Sequence, residues 1–220
     1  MIATSDVDPG TREALLRAGL QLFGRNGFDA TSIRAIARSA GVNSAGIAYH
    51  FGGKDGLRRA CAEAIVATMR ERVLGQDQLA PVPPEMDPDE ALTAVLAAVG
   101  RVIAFATRAP ESEAIARFVV REMMQPSPAF DLLYEGMVGP IHGRLCALWG
   151  MATGRDPEAQ GTKLAVFAMI GQVLYFRLAR PAVIRRMEWQ GIGEIEGDAI
   201  ASTIGAAITA SVLAARGERS

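Results

Sequence analysis

The chain has 220 residues, half of them hydrophobic and a fifth charged, which is enough apolar surface for one large or two small globular domains. That balance excludes disordered and collagen-like architectures. A net charge of −1 excludes a global basic field, so any role with nucleic acid has to come from a local patch. Ala and Leu dominate the apolar share, which leans to helix. Cys61 and Cys146 are too few for a disulfide framework or an all-cysteine zinc site. Asp6 and Asp8 stand where a secretory leader would be basic, so a cytoplasmic protein with reduced thiols is expected. The longest apolar stretch, 91–106, contains Arg101 and is shorter than the ~18 residues a span needs, so no membrane association is expected.

In chain order, Leu15, Ala18, Gly19, Leu22 and Phe23 repeat at three and four and predict a first helix ended by Asn26-Gly27. Thr31 or Ser32 caps a second, short helix to about Ser39, with Ile33, Ile36 and Ala37 facing inward. After the Ala40-Gly41-Val42 turn, Asn43 or Ser44 caps a third helix to about His50. A fourth runs from near Lys54 to about Leu74. The proline-rich segment 76–88 reads as an inter-helix loop. Further helices are predicted near 89–107, 111–124, 128–152, 157–179, 181–189 and 197–216, with Pro110, Pro128, Pro157 and Pro181 where helices begin. No period-two alternation argues for a sheet, so the chain is predicted to be all-α.

Charge divides unevenly: residues 1–60 carry eight basic and five acidic side chains, or +3, and the rest carries −4. A basic head on an acidic body suggests two jobs. Residues 31–51, TSIRAIARSAGVNSAGIAYHF, have the layout of a helix-turn-helix: two short helices meet at a turn where Gly41 supplies a positive φ. Val42 and Ile47 plug the gap between the helices. Asn43, Ser44, Ala45, Gly46, Tyr49 and His50 leave one face of the third helix free of large aliphatic residues and small enough for a major groove. Thr31 and Ser32 at a helix start, and Tyr49, His50 and Lys54 at its far flank, are the candidate phosphate clamps.

The run from Thr31 to Leu57, TSIRAIARSAGVNSAGIAYHFGGKDGL, resembles the DNA-binding domain of the TetR/AcrR family of regulators, a likeness covering residues 11–60. The run ARFVVREMMQPSPAFDLLYEG, 116–136, resembles a subgroup with a CerR-type C-terminal domain. The resemblance implies a homodimer on a palindromic double-stranded operator, a small-molecule effector in each C-terminal half, and release of DNA when it binds. Carried over, the DNA contacts fall on Thr31, Ser32, Asn43, Ser44, Tyr49, His50 and Lys54. The exposed face 43–46 has no Arg, Lys or Gln, so bidentate guanine reading is absent and specificity falls to Asn43, Ser44, Ala45, DNA shape and, from the second helix, Arg34. The expected division is an N-terminal three-helix domain, residues 1–54, and a larger helical bundle, 55–220, for ligand binding and dimerisation.

In that larger half, Met124, Phe130, Tyr134, Phe167 and Tyr175 are candidate pocket wall, and Arg117, Arg121, Glu122, His142 and Gln172 are candidate polar groups turned inward. Leu164, Phe167, Ala168, Gly171 and Leu174 form one interface stripe, and Ile200, Ile204, Ala207, Ile208, Ser211 and Val212 a second, with a central core helix as the alternative for the last. Gly53-Lys54 is not the end of a phosphate loop, because Ala48 and Asp55 stand where Gly and Ser or Thr are needed. His142 and Cys146, with Asp131 or Glu135 nearby in sequence, make an incomplete metal set, so no metal or other cofactor is expected. The two histidines and the absence of nucleophile motifs argue against an enzyme. A ligand-responsive repressor is the leading reading. A small-molecule binder with a vestigial helix-turn-helix, or an α-helical enzyme, is the alternative.

Overall fold

The computed structural model describes residues 9–74 and 82–217; residues 76–81 of the 76–88 loop and the acidic Asp6 and Asp8 lie outside them. Among the described residues the chain is all-α: α1 (Pro9–Asn26), α2 (Ile33–Ala40), α3 (Ala45–Phe51), α4 (Lys54–Met69), α5 (Pro88–Arg108), α6 (Ser112–Met124), α7 (Pro128–Leu133), α8 (Gly139–Thr153), α9 (Gln160–Leu178), α10 (Arg180–Met187) and α11 (Glu194–Gly217). Two π-helical turns, Arg70–Leu74 and Tyr134–Val138, follow α4 and precede α8. The second breaks what the sequence presents as one helix over 128–152. Pro140 has no N–H for the Gly136 carbonyl, and a wider turn there accommodates the proline ring.

The contacts group the chain into two compact units. One holds the residues up to Ala67 with Glu113–Gly136, and the other Thr68–Ser112 with Met137 onward. This line differs from the 1–54 and 55–220 division, because α6 and α7 and most of α4 share a core with the three N-terminal helices. That core contains Leu15, Phe23, Ile36, Ile47, Leu57, Ile65, Phe118 and Leu133. Ile36 and Ala37 are buried as expected, while Ile33 is 36 % exposed at the start of α2. Phe23 is the hinge-pin of the aromatic cluster, with ring centroids 5.5 Å from Phe28 and 6.5 Å from Phe118. Gly56 is required by space: a Cβ there would fall on the carbonyl oxygen of Phe51.

In the second unit, Ala91, Val95, Val99 and Ile103 of α5 meet Leu145, Cys146, Leu148 and Trp149 of α8, and Ile200, Ile204, Ile208 and Val212 of α11. The second expected interface stripe is therefore corrected: its four large aliphatics, Ile200, Ile204, Ile208 and Val212, are core, and α11 shows the surface small residues such as Ala206, Ala207, Ala210 and Ser211. A 3.6-residue period marks an apolar face without saying whether a core or a partner covers it. The first stripe stays outside, with Leu164 and Phe167 both more than half exposed. The sequence reading of 91–106 as too short for a span is also corrected. The helix runs over 21 residues, and α5 and α11 are each long and apolar enough to cross a bilayer on length and composition. Arg101 does not interrupt α5; its Nε donates to the Val73 carbonyl at 3.0 Å.

Candidate nucleic-acid interface and ligand recesses

The turn between α2 and α3 follows from local chemistry. Ser32 Oγ accepts the Ala35 N–H at 3.1 Å to cap α2. Gly41, at φ 70°, closes its other end by donating to the Ala37 and Arg38 carbonyls. Asn43 Oδ1 accepts the Ala45 N–H at 2.9 Å, so Asn43 caps α3, and the Ser44 hydroxyl makes no capping bond. Ile47 is fully buried beneath α3. The opposite side carries Asn43, Ser44, Ala45, Ala48 and Tyr49, all exposed, with Tyr49 at 73 %. Asn43 spends its carbonyl on the cap and keeps its amide donors for a partner.

Two expected contacts change role. Thr31 is 1 % exposed, and its hydroxyl donates inward to the Gly27 and Leu22 carbonyls at 2.6 and 3.2 Å. Its N–H bonds the Phe28 carbonyl at 3.1 Å, so it holds the end of α1 and offers a phosphate nothing. Gly46 faces α1, where an added Cβ would stand 3.3 Å from Leu15 Cδ1. Ser32 and Arg34 are exposed on α2, and His50 stands edge-on to Tyr49 with centroids 5.2 Å apart. Lys54 opens α4 with Nζ 4.2 Å from the centre of the Phe28 ring.

Phe28 is a residue the sequence did not single out. Its ring also receives the Arg58 guanidinium at 4.5 Å. That guanidinium forks onto Glu122, Nε to Oε1 at 2.7 Å and Nη2 to Oε2 at 3.0 Å, and Ser127 Oγ donates to the same carboxylate at 2.7 Å. Glu122, expected as a pocket polar group, is thus buried and satisfied inside the first unit. Arg121, another pocket candidate, donates from Nε to the Gly24 carbonyl at 2.9 Å and from Nη2 to that of Arg25 at 2.7 Å, which caps the last turn of α1. Both bonds join residues more than ninety positions apart, and no local pattern announces them. Arg117 pairs with Glu113 one helical turn away at 2.6 Å. Met124 is 77 % exposed, and Phe130 packs on the exposed Tyr134 with centroids 6.0 Å apart.

The other four candidates belong to the second unit. His142 stacks on Phe167 at a centroid distance of 4.0 Å, with Nε2 3.2 Å from the Lys163 carbonyl oxygen and Nδ1 3.6 Å from Cys146 Sγ. A carbonyl only accepts, so Nε2 carries the hydrogen and Nδ1 receives the thiol's. Burial, and then Glu158, pushes the Cys146 thiol upward, which keeps it protonated. Among the described residues no three His, Cys, Asp or Glu side chains group as a metal site. Gln172 lines a groove of about 280 Å³ floored by Trp149, Met169 and Ile208 and walled by Ala168 and Ser211. Tyr175 lines a separate cleft of about 450 Å³ between α9, α10 and α11.

Two family models match the chain. Residues 15–61 match the bacterial regulatory proteins of the TetR family, and 88–215 match the C-terminal domain of the HTH-type transcriptional dual regulator CecR. The C-terminal likeness is thus to the CecR type and extends far beyond the 116–136 run. The chain is 31 % identical over 205 residues to the transcriptional dual regulator CecR of Shigella flexneri, covering 88 % of this chain and 87 % of that one. It is 29 % identical to the regulatory protein RaaS of Mycobacterium tuberculosis over 76 % of this chain and 73 % of that one. In fold it is similar to a TetR-like regulator from Rhodococcus sp. RHA1, with a TM-score of 0.67 at 18 % identity over 92 % of this chain and 96 % of that one. It is likewise similar to AibR, solved with isovaleryl coenzyme A and operator DNA, with a TM-score of 0.65 at 17 % identity over 89 % and 96 %. With its helix-turn-helix capped and exposed as described, the chain belongs to the TetR family of bacterial transcriptional regulators, in the branch with a CecR-type C-terminal domain.

Proposed function

We propose that the chain is a cytoplasmic, homodimeric repressor that leaves a palindromic operator when a small molecule binds, and that it acts through binding rather than turnover. The observation that carries this reading is the α3 surface, where Asn43, Ser44, Ala45, Ala48 and Tyr49 are all exposed around a fully buried Ile47. A helix anchored from beneath and small-sided above fits a major groove. Ser44 and the free amide of Asn43 meet base edges, Ser32, Tyr49, His50 and Lys54 meet phosphates, and Arg34 reaches from α2. In this division of labour residues 1–54 read DNA and 55–220 bind the effector and pair the subunits.

Support for pairing comes from the exposed Leu164 and Phe167 of α9 beside the small-residue face of α11. Small residues let helix backbones approach closely, and the groove at Gln172 gives a partner's side chains a place to insert. Two α3 helices then have to stand roughly 34–36 Å apart to enter successive major grooves. An effector spoils that spacing to the extent that it prefers the other state, and no further. Similarity in fold to AibR, a protein solved with an acyl coenzyme A and its operator, supports a small-molecule trigger. A gel shift with the DNA upstream of its own gene, across a salt series, tests the reading. One dimer per palindrome with affinity falling steeply in salt supports it; equal affinity for operator and random duplex at every salt concentration refutes it.

A further inference from the structure

The cleft between α9, α10 and α11 is walled by Tyr175, Phe176, Val183, Met187, Trp189 and Ile200. Its volume of about 450 Å³ suits a small organic molecule. α10 leaves α9 at a bend of 73°, which opens the recess like a wedge. Glu188 is the single non-glycine among the described residues with a positive φ, 56°, and that turn lets Trp189 fold back onto the core while its N–H bonds the Ile184 carbonyl. A strained residue that sets an aromatic wall is an expense the fold meets at few places.

The rim is as distinctive as the wall. Residues 177–189, RLARPAVIRRMEW, hold four arginines and one acid in the half of the chain that is otherwise acidic. Arg186 lines the cleft itself. Arg180, Arg185 and Arg186 have no carboxylate partner among the described residues. On the opposite lip, Thr203 of α11 adds a hydroxyl. An apolar slot with the unneutralised guanidinium of Arg186 in its lining is complementary to a molecule with a greasy body and one negative end.

We propose that this cleft binds a free, monomeric amphipathic anion, an aliphatic or aromatic body carrying a carboxylate or phosphate, with the body against Trp189 and Phe176 and the anionic end on Arg186. The proposal rests on the regulatory reading above in one respect: it names where a small molecule enters and what its chemistry is. The anion is a single molecule in water, not a bilayer surface and not a second copy of the chain.

Calorimetric titration of the full-length protein tests this with three probes: decanoate below its micellar concentration, decan-1-ol, and vesicles of anionic phosphatidylglycerol. The variants are Arg186→Ala, which removes the charge at the mouth, and Ala199→Phe, which fills the cleft from an exposed position on α11. Circular dichroism and sedimentation run alongside. Expected are saturable decanoate binding, decanol at least roughly tenfold weaker, roughly tenfold loss in Arg186→Ala, and no measurable binding in Ala199→Phe at unchanged mass and helicity. Equal binding of decanoate and decanol overturns the proposal, as does wild-type binding by both variants or binding to vesicles alone. A change in the mass of the assembly in Ala199→Phe, with decanoate binding intact, shows that a second copy occupies the cleft and overturns it too. A gel shift separates this proposal from the regulatory one. Decanoate that binds as described but leaves the operator complex intact removes the effector role and keeps the site. Release by a different compound, undiminished in both variants, keeps the regulator and discards the site.

Discussion

Removing either partner of the Arg58–Glu122 pair should destabilise the protein, and not equally. Side-chain exposure is 17 % for Arg58 and 4 % for Glu122. Breaking a buried pair by deleting one partner costs about 3–5 kcal/mol, mostly because the other charge stays behind unpaired. In Glu122→Leu the stranded guanidinium still lies on the Phe28 ring and has a route to water, so about 2–3 kcal/mol is expected. In Arg58→Met the stranded carboxylate keeps the Ser127 hydroxyl alone and has no such route, so the upper range of about 3–5 kcal/mol applies. The double variant replaces both ends with apolar groups of similar volume and should recover most of the loss. The assay is urea unfolding of all four proteins, followed by helicity and closed as a double-mutant cycle. Single-variant losses below about 1 kcal/mol, or strictly additive losses in the double variant, would refute the claim that this pair locks α6 to α4.

Four other outcomes follow from the geometry. Burial, with Glu122 adding to it, pushes the Cys61 thiol up to about 12, and the thiol donates to the Leu16 carbonyl at 3.7 Å. An unfolded thiol ionises near its ordinary value while the folded one stays protonated, so this contribution is complete below that value and fades as pH climbs toward 12. Cys61→Ala should therefore flatten the fall in stability above pH ~9, and native Cys61 should resist a thiol reagent at pH 8; rapid labelling of the folded protein contradicts this. Gly56→Ala forces the first turn of α4 away from the Phe51 carbonyl and should cost more than about 3 kcal/mol, measured by thermal unfolding. Lys54→Ala should weaken binding on all DNA sequences and lower the salt slope by about 1, and an unchanged slope removes its phosphate role; Tyr49→Phe, which loses a neutral hydroxyl, should weaken binding on all sequences at an unchanged slope, and undiminished affinity removes its role. Asn43→Ala loses a helix cap as well as its amide, so about 1 kcal/mol of stability goes with the altered sequence preference; Asn43→Ser, which restores a cap, should recover the stability and not the preference.

The helix-turn-helix was legible because its determinants are local. A capping Asn, a left-handed Gly and a small-sided third helix lie within twenty-odd residues and owe little to the rest of the chain. Thr31 misled for a related reason: a hydroxyl at a helix start looks the same whether it faces solvent or the carbonyls nine and four residues earlier. The candidate pocket set was less readable. Arg121 and Glu122 are charged residues in an apolar helical run, and that pattern marks buried polar groups without naming their partners. Those partners, the end of α1 and Arg58, lie at the other end of the sequence. The α11 stripe shows the same limit from the apolar side, since periodicity identified the face and the fold decided what covers it.

The widened turn at Tyr134–Val138 reaches further than one beyond its own span. Each such insertion advances the following residues by roughly 100° about the axis relative to an uninterrupted α-helix. Upstream, Ala129 and Leu133 point into one interior; downstream, Leu145, Cys146, Trp149 and Ala152 point into another. The chain passes from one compact unit to the other within these five residues, between Gly136 and Met137. Excising a single residue from that stretch would leave composition and helix content almost untouched, yet rotate the whole α8 seam off its target.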